Sequence, residues 1–209
     1  PLNQTVCSGI AITQVDFLNP NNVVGTNYSW TRDNTTNLIG IPSSGSGAFL
    51  TGNLTNLTNT VQTTTFTIIC DSNGCSSSSS TFTITVDPRP TVAASPATQS
   101  ICGGITFSDI NITNPNTIAG TTYTWVRDNT SNVTGLASSG SGDTISGSLW
   151  NTTNTDQTVV FTINASANGC LSTPINVEII VLATPSISVS PATQNRCNSL
   201  AINTISFSN

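Results

Sequence analysis

Histidine and lysine are both missing from the 209 residues, and the four basic side chains are all arginines: Arg32, Arg89, Arg127 and Arg196. Binding nucleic acid requires clustered cations that displace counterions, and so does an anionic membrane surface. Four scattered arginines at a net charge of −5 form no such patch, so nucleic acid is no partner. General-base and triad chemistry usually draws on His or Lys, neither of which is present. A pair of carboxylates remains possible for glycoside hydrolysis, but the acids are scattered and most of them do not recur at equivalent positions. No stretch reaches the roughly 18 consecutive apolar residues of a transmembrane helix, and residues 1–20 carry no signal-peptide pattern. Direct membrane insertion is therefore not expected.

Charge is scarce, at 6% of residues. The polar fraction is instead Thr, Ser and Asn. Thr favours half-buried pleated strands, whereas Asn, Ser and Gly supply turns. That balance points to an all-β fold rather than a disordered tail.

Self-comparison reveals a repeat. Cys7, Cys102 and Cys197 are evenly spaced, 102 − 7 and 197 − 102 both being 95. The same shift carries Trp30 to Trp125, Arg32 to Arg127 and Cys75 to Cys170. It lays "YSWTRDNTTN" (28–37) on "YTWVRDNTSN" (123–132) and "SSGSG" (43–47) on "SSGSG" (138–142). Roughly two-fifths of the paired positions are identical without a gap. Repeat 1 is read as residues 1–91, repeat 2 as 92–186, and 187–209 as the first strands of a truncated repeat 3. Two strands bury no face alone, so the natural molecule is expected to continue past Asn209. Under the same register Asp16 meets Asn111, Gln14 meets Asp109 and Ala48 meets Asp143, which counts against a shared carboxylate site.

A 95-residue unit suits a seven-stranded immunoglobulin-like sandwich of about 100 residues. Alternating apolar positions mark strands at Tyr123 and Trp125, at Val159, Phe161 and Ile163, and at Val177, Ile179 and Val181. Phe82, Ile84 and Val86 repeat the last pattern in repeat 1. Ile105, Phe107, Ile110 and Ile112 suggest a strand with a bulge. "NPNNVVG" and "DSNG" read as turns, and "SSGSG" as flexible surface loops. "DSNG" lacks the later acidic ligands of a calcium loop, and "SSGSG" lacks the lysine of a phosphate loop, so neither cofactor nor metal is expected.

Trp30 and Trp125, with Tyr28 and Tyr123 beside them, are read as structural core, because the flanking alternation already demands an inward residue. The competing reading of the tryptophans is an exposed platform that stacks on sugar. Trp150 faces Thr55 in register, so no shared core requires it, and it is the better candidate for an exposed contact. Arg32 and Arg127 share the tryptophan's strand face. They are read as a structural clamp, pairing with a carboxylate or stacking on an aromatic edge.

Of the six cysteines, repeat 2 holds only Cys102 and Cys170, so an intra-repeat bridge there joins that pair. By register repeat 1 joins Cys7 to Cys75, a loop whose closure stabilises by roughly 4 kcal/mol in the chain-entropy model. Cys70 faces Ala165 in register. It has the alternative of bridging Cys75 across "DSNG", which strands Cys7. Either pattern implies an oxidising, extracytoplasmic compartment. Without His or a paired CxxC motif a zinc site is not expected.

The ordered motifs "YxWxRDN", "SSGSG", "TNTxQTxxFTI" and "NGC" resemble the PKD-like repeats of giant surface adhesins of gliding Bacteroidota. The resemblance covers the whole chain, although "WTRDN" replaces the better-known "WDFGDG" pattern. It implies export by the type 9 secretion system, display at the outer membrane, and the secretion and gliding machinery as partners. It supplies no catalytic residues. It also implies that Asp143-Thr144-Ile145 is an O-glycosylation acceptor, with Thr144 modified.

The function expected is therefore a non-enzymatic extracellular spacer and multivalent adhesive stalk. Its partners would be neighbouring repeats of the same chain and an unidentified surface or polysaccharide ligand. The main alternative is a structural subunit of an extracellular filament or sheath. An accessory carbohydrate-binding role beside a catalytic domain, and ice binding through Thr-rich faces, rank below both.

Overall fold

The computed structural model describes residues 3–190 and 192–208. Pro1, Pro191 and Asn209, where the sequence reading begins repeat 1, restarts the repeat motif and ends, lie outside the described residues, as does Leu2. Among the described residues every regular element is a strand. Repeat 1 contains β1 (Gln4–Cys7), β2 (Val15–Asp16), β3 (Asn27–Arg32), β4 (Leu38–Gly40) and β5 (Ser44–Ser46). There follow β6 (Phe49–Leu50), β7 (Leu54–Asn56), β8 (Gln62–Ser72), β9 (Cys75–Ser76) and β10 (Ser80–Asp87). Repeat 2 runs through β11 (Ala93–Ser95), β12 (Thr98–Cys102), β13 (Ile110–Thr113), β14 (Thr122–Arg127), β15 (Val133–Thr134) and β16 (Ser139–Ser141). It closes with β17 (Thr144–Ile145), β18 (Trp150–Asn151), β19 (Gln157–Ala167), β20 (Cys170–Leu171) and β21 (Ile175–Leu182). Two further strands, β22 (Ser188–Ser190) and β23 (Ser206–Ser208), pair with each other.

Each repeat is built on one six-stranded sheet. In repeat 1 its order is β1-β10-β8-β3-β5, with β9 hairpinned onto β8; repeat 2 copies it as β12-β21-β19-β14-β16, with β20 on β19. The facing layer consists of short ladders, β2–β6 and β4–β7 in repeat 1, β11–β13–β17 and β15–β18 in repeat 2. The second layer is broken into pieces of two to four residues by glycines and turns. The first strand pairs parallel to the last, with Cys7 level with Asp87 and Cys102 level with Leu182.

Period-2 alternation fixes the inward faces. Phe66 and Ile68 of β8 and Phe82, Ile84 and Val86 of β10 point into the repeat 1 core. Val159, Phe161 and Ile163, then Val177, Ile179 and Val181, do the same in repeat 2. Ring placement is conserved in volume rather than in position. Phe66 stacks on Phe82 at 5.0 Å, whereas its counterpart Phe161 meets Phe107 at 6.3 Å, and the positions register-equivalent to Phe82 and Phe107 are Val177 and Ile12. A ring removed from one layer is thus replaced from the other, as dense packing requires.

Two local expectations are corrected. Ile105 is exposed and outside any strand, because the chain between Cys102 and Ile110 meets its neighbour through an isolated bridge at Thr106 and single backbone bonds from Gly104 and Phe107 rather than a continuous ladder. The "SSGSG" segments are not flexible loops: each forms an edge strand, β5 or β16, paired antiparallel to the tryptophan strand. A glutamine clamp recurs at the start of each unit. Gln4 donates to the Thr13 carbonyl and accepts from the Thr13 amide, Gln99 does so with Ser108, and Gln194 with Asn203.

Candidate functional site

Three features recur in register: a polar lock after β3 and β14, an aromatic seat, and the joint between repeats. The lock is the Arg-Asp-Asn of "YxWxRDN". Arg32 is buried on the same strand face as Trp30, and among the described residues its hydrogen-bond partners are main-chain carbonyls rather than a carboxylate. Its Nε donates to the carbonyls of Ile41 (2.9 Å) and Pro42 (3.0 Å), and its Nη2 to those of Leu38 (2.9 Å) and Ile41 (2.7 Å). Nη1 turns back to the carbonyl of Asp33 at 3.2 Å. Arg127 repeats the arrangement on Val133, Leu136 and Ala137. A planar fork of five donors suits a loop that turns several carbonyls inward. Burial pushes both guanidinium groups below their ordinary range, and the adjacent Asp33 and Asp128 partly oppose this.

The next two residues tie the loop to the sheet. Asp33 Oδ1 accepts from the Thr65 amide at 2.7 Å, and Asp128 Oδ1 from the Val160 amide at 2.7 Å. Asn34 and Asn129 take left-handed backbone conformations, φ 48° and 50°, which Asn tolerates better than most residues. Their side-chain amides donate to the carbonyls of Thr63 and Thr158.

Trp30 and Trp125 are each 7% exposed, and their rings tilt against Phe66 and Phe161 at 5.7 and 5.6 Å. Tyr28 and Tyr123 are half-buried and pack on the edge of the same clusters. Trp150 is 56% exposed and lies across Gly104 and Gly135, where any side chain would strike the indole. Thr144 is exposed at the start of β17, with Ile145 buried beneath it.

The joint departs from the cysteine reading. Cys7 is bonded to Cys170, with Cα atoms 5.6 Å apart, so the bridge runs from repeat 1 to repeat 2. Neither Cys7–Cys75 nor Cys102–Cys170 forms; Cys70, Cys75 and Cys102 are free thiols. The topology explains why. Cys7 ends a strand parallel to β10 and lies at the pole where β8 begins, since Val86 pairs with Gln62. Cys75 pairs with Ser72, the last residue of β8. Ten residues of strand separate the two poles, roughly 30 Å, far beyond disulfide reach. The lower pole of one repeat instead meets the upper pole of the next.

The linker completes this joint. β11 joins the sheet edge of β13, with Ala94 opposite Ile112, and Val92 and Ala94 pack on the repeat 2 core. Asn116 Oδ1 accepts from the amide and hydroxyl of Thr91, and its Nδ2 donates to the Arg89 carbonyl. Arg89 Nε donates to the carbonyl of Leu171, next to the bonded Cys170. Cys170 itself is fully buried there. Sequence reasoning missed this because it assumed a bridge within each unit. The even spacing of the cysteines fits a bridge from one unit to the next equally well.

Repeated Ig-like units, each locked by an Arg-Asp-Asn loop and joined covalently to its neighbour, define a tandem β-sandwich module. The PKD-like domain family model matches residues 4–90 and 99–185, and the chain belongs to that family. No curated protein matches the chain. Among solved structures, domains 4 and 5 of the S-layer protein SbsC are similar at 16% identity and a TM-score of 0.32, over 78% of this chain and 74% of that one. The IG1+IG2 fragment of DIP-gamma is similar at 9% identity and TM-score 0.34, over 87% and 93%. The human Desmocollin-1 ectodomain is similar at 12% identity and TM-score 0.29, over 93% and 43%. These TM-scores are too low for any functional inference.

Proposed function

We propose that the chain is a non-enzymatic, extracellular spacer and multivalent adhesive stalk from a large bacterial surface adhesin. The observation that carries this reading is the joint. A disulfide and a linker strand built into the next repeat's sheet turn two domains into one stiff rod segment, where an ordinary linker would leave a hinge. A disulfide requires an oxidising compartment, which supports export. Exposed Thr, Ser and Asn side chains give the rod a surface of weak hydrogen-bonding contacts, which repetition multiplies into avidity.

Display at the outer membrane, passage through type 9 secretion and a part in gliding follow from the motif resemblance to adhesins of gliding bacteria. The repeat bounds 1–91, 92–186 and 187–209 belong to the same proposal. An antibody against residues 92–190, applied to living cells, tests it. Label that travels along the cell surface supports the motile-adhesin reading. Label on fixed extracellular fibres replaces it with the filament reading, and label confined to the cytoplasm overturns export altogether.

A further inference from the structure

We propose that the upper pole of repeat 1 is the receiving half of a second joint, in which Cys75 bonds the first-strand cysteine of another PKD-like repeat lying before it in the same polypeptide. In the joint that is visible, the bonded pair is a first-strand cysteine, Cys7, and a hairpin cysteine of the following repeat, Cys170. Cys75 is the register equivalent of Cys170 on the same two-residue hairpin, opposite Ser72 as Cys170 is opposite Ala167. Cys170 is covered completely by its neighbour, whereas Cys75 is exposed.

A second, independent observation lies beside the thiol. Repeat 1 carries a cavity of about 270 Å³ lined by Phe17, Leu18, Tyr28, Ile68 and Cys70. The equivalents of Phe17, Tyr28 and Ile68 are Ile112, Tyr123 and Ile163. Ile112 pairs with Ala94 of the linker strand, Ile112 and Ile163 belong to the core cluster on which Val92 and Ala94 pack, and Tyr123 packs on the same cluster. An adjoining cavity holds Asn21 and Cys75. Asn21 is the equivalent of Asn116, the residue that clamps the linker backbone in the visible joint. The groove, the clamp and the thiol thus stand in the arrangement that a linker strand and a first-strand cysteine occupy one repeat later.

The occupant is accordingly an apolar linker strand that follows a complete PKD-like repeat, whose own first strand ends in the bonding cysteine, as Cys7 and the linker of Val92 and Ala94 do in the visible joint. Cys102 is the complementary giving half: the equivalent of Cys7, exposed, at the lower pole of repeat 2. Forming each bond removes two protons and two electrons from a pair of thiols. A disulfide-carrying oxidant such as oxidised glutathione accepts them and is reduced to two thiols.

The test is a disulfide map of the native full-length protein, blocked with iodoacetamide before lysis and digested without reduction. The expected result is a Cys75 peptide linked to a first-strand cysteine peptide of another PKD-like repeat, in protein that runs at single-chain mass on a non-reducing gel. Cys75→Ser should leave one first-strand cysteine alkylated, and Cys70→Ser should leave the link intact. A Cys75 that is alkylated, or bonded to Cys70, overturns the proposal. So does a Cys75–Cys102 link between separate chains. The Cys7–Cys170 peptide is the internal control: its loss would defeat the jointed-rod reading itself, while its presence beside a free Cys75 would defeat only this inference.

Discussion

Gly45 lies directly opposite Trp30 across the β3–β5 ladder, and the indole occupies the space a side chain at Gly45 would need. Gly140 stands in the same relation to Trp125. The glycine is required by room rather than by backbone freedom.

Gly45→Ala and Gly140→Ala should therefore each push the tryptophan off its seat. Overpacking of this kind costs about 1–3 kcal/mol. Urea unfolding followed by tryptophan fluorescence checks it, and an unchanged midpoint would show that the indole relocates freely.

Arg32→Lys should behave as a severe change despite keeping the charge. One ammonium cannot reach the carbonyls of Leu38, Ile41 and Pro42 together, so buried acceptors lose partners. The expected loss is about 2–4 kcal/mol, read by chemical denaturation. Arg127→Lys should match it in repeat 2.

Cys7→Ser should uncouple the repeats without unfolding either one, because each has its own core. The chain-entropy model assigns the bridge about 5 kcal/mol for a separation of 163 residues. Calorimetry should show two separated transitions in place of a coupled one, and small-angle scattering should report a broader range of shapes.

Tyr123 gives repeat 2 an alkaline limit. Burial, aided by Asp143, pushes its phenol above the ordinary value of 10.0. An acid whose folded pKa is raised holds its proton more tightly when folded. The contribution is complete below pH about 10 and is lost as pH climbs through the folded value. Tyr123→Phe should flatten that fall in a pH series of melting curves.

Thr144 is exposed beside Asp143, so nothing in the fold bars a glycan there. Peptide mass spectrometry of native material should find Thr144 carrying a sugar, and an unmodified peptide throughout would end that proposal.

The sheet strands were legible because they obey period-2 alternation: Phe82, Ile84 and Val86, or Val177, Ile179 and Val181, can face inward in only one register. The all-β class and the tandem repeat followed from the same regularity. The fragmented second layer was less legible, since strands of two residues carry too little pattern to announce themselves. "SSGSG" misled because its glycine serves a neighbour, Trp30, that is distant in sequence. Arg32 was rightly placed inward, yet its partners are main-chain carbonyls, which any residue offers and no sequence pattern marks. The cysteine pairing failed for a topological reason. Registration tells which cysteines are equivalent, but only the parallel pairing of β1 with β10 tells which pole each occupies.

The bond between Cys7 and Cys170 also decides how far the molecule can be drawn out. Residues 8–169 lie inside a closed covalent loop. Tension applied at the two ends enters along β1, crosses the sulfur atoms and leaves through repeat 2, bypassing nearly all of both domains. At about 3.4 Å per residue, some 550 Å of chain is withheld from stretching even if both cores melt. A tether built this way yields little under drag while oxidised, and a reductant would convert it from a nearly inextensible cord into a long, compliant one.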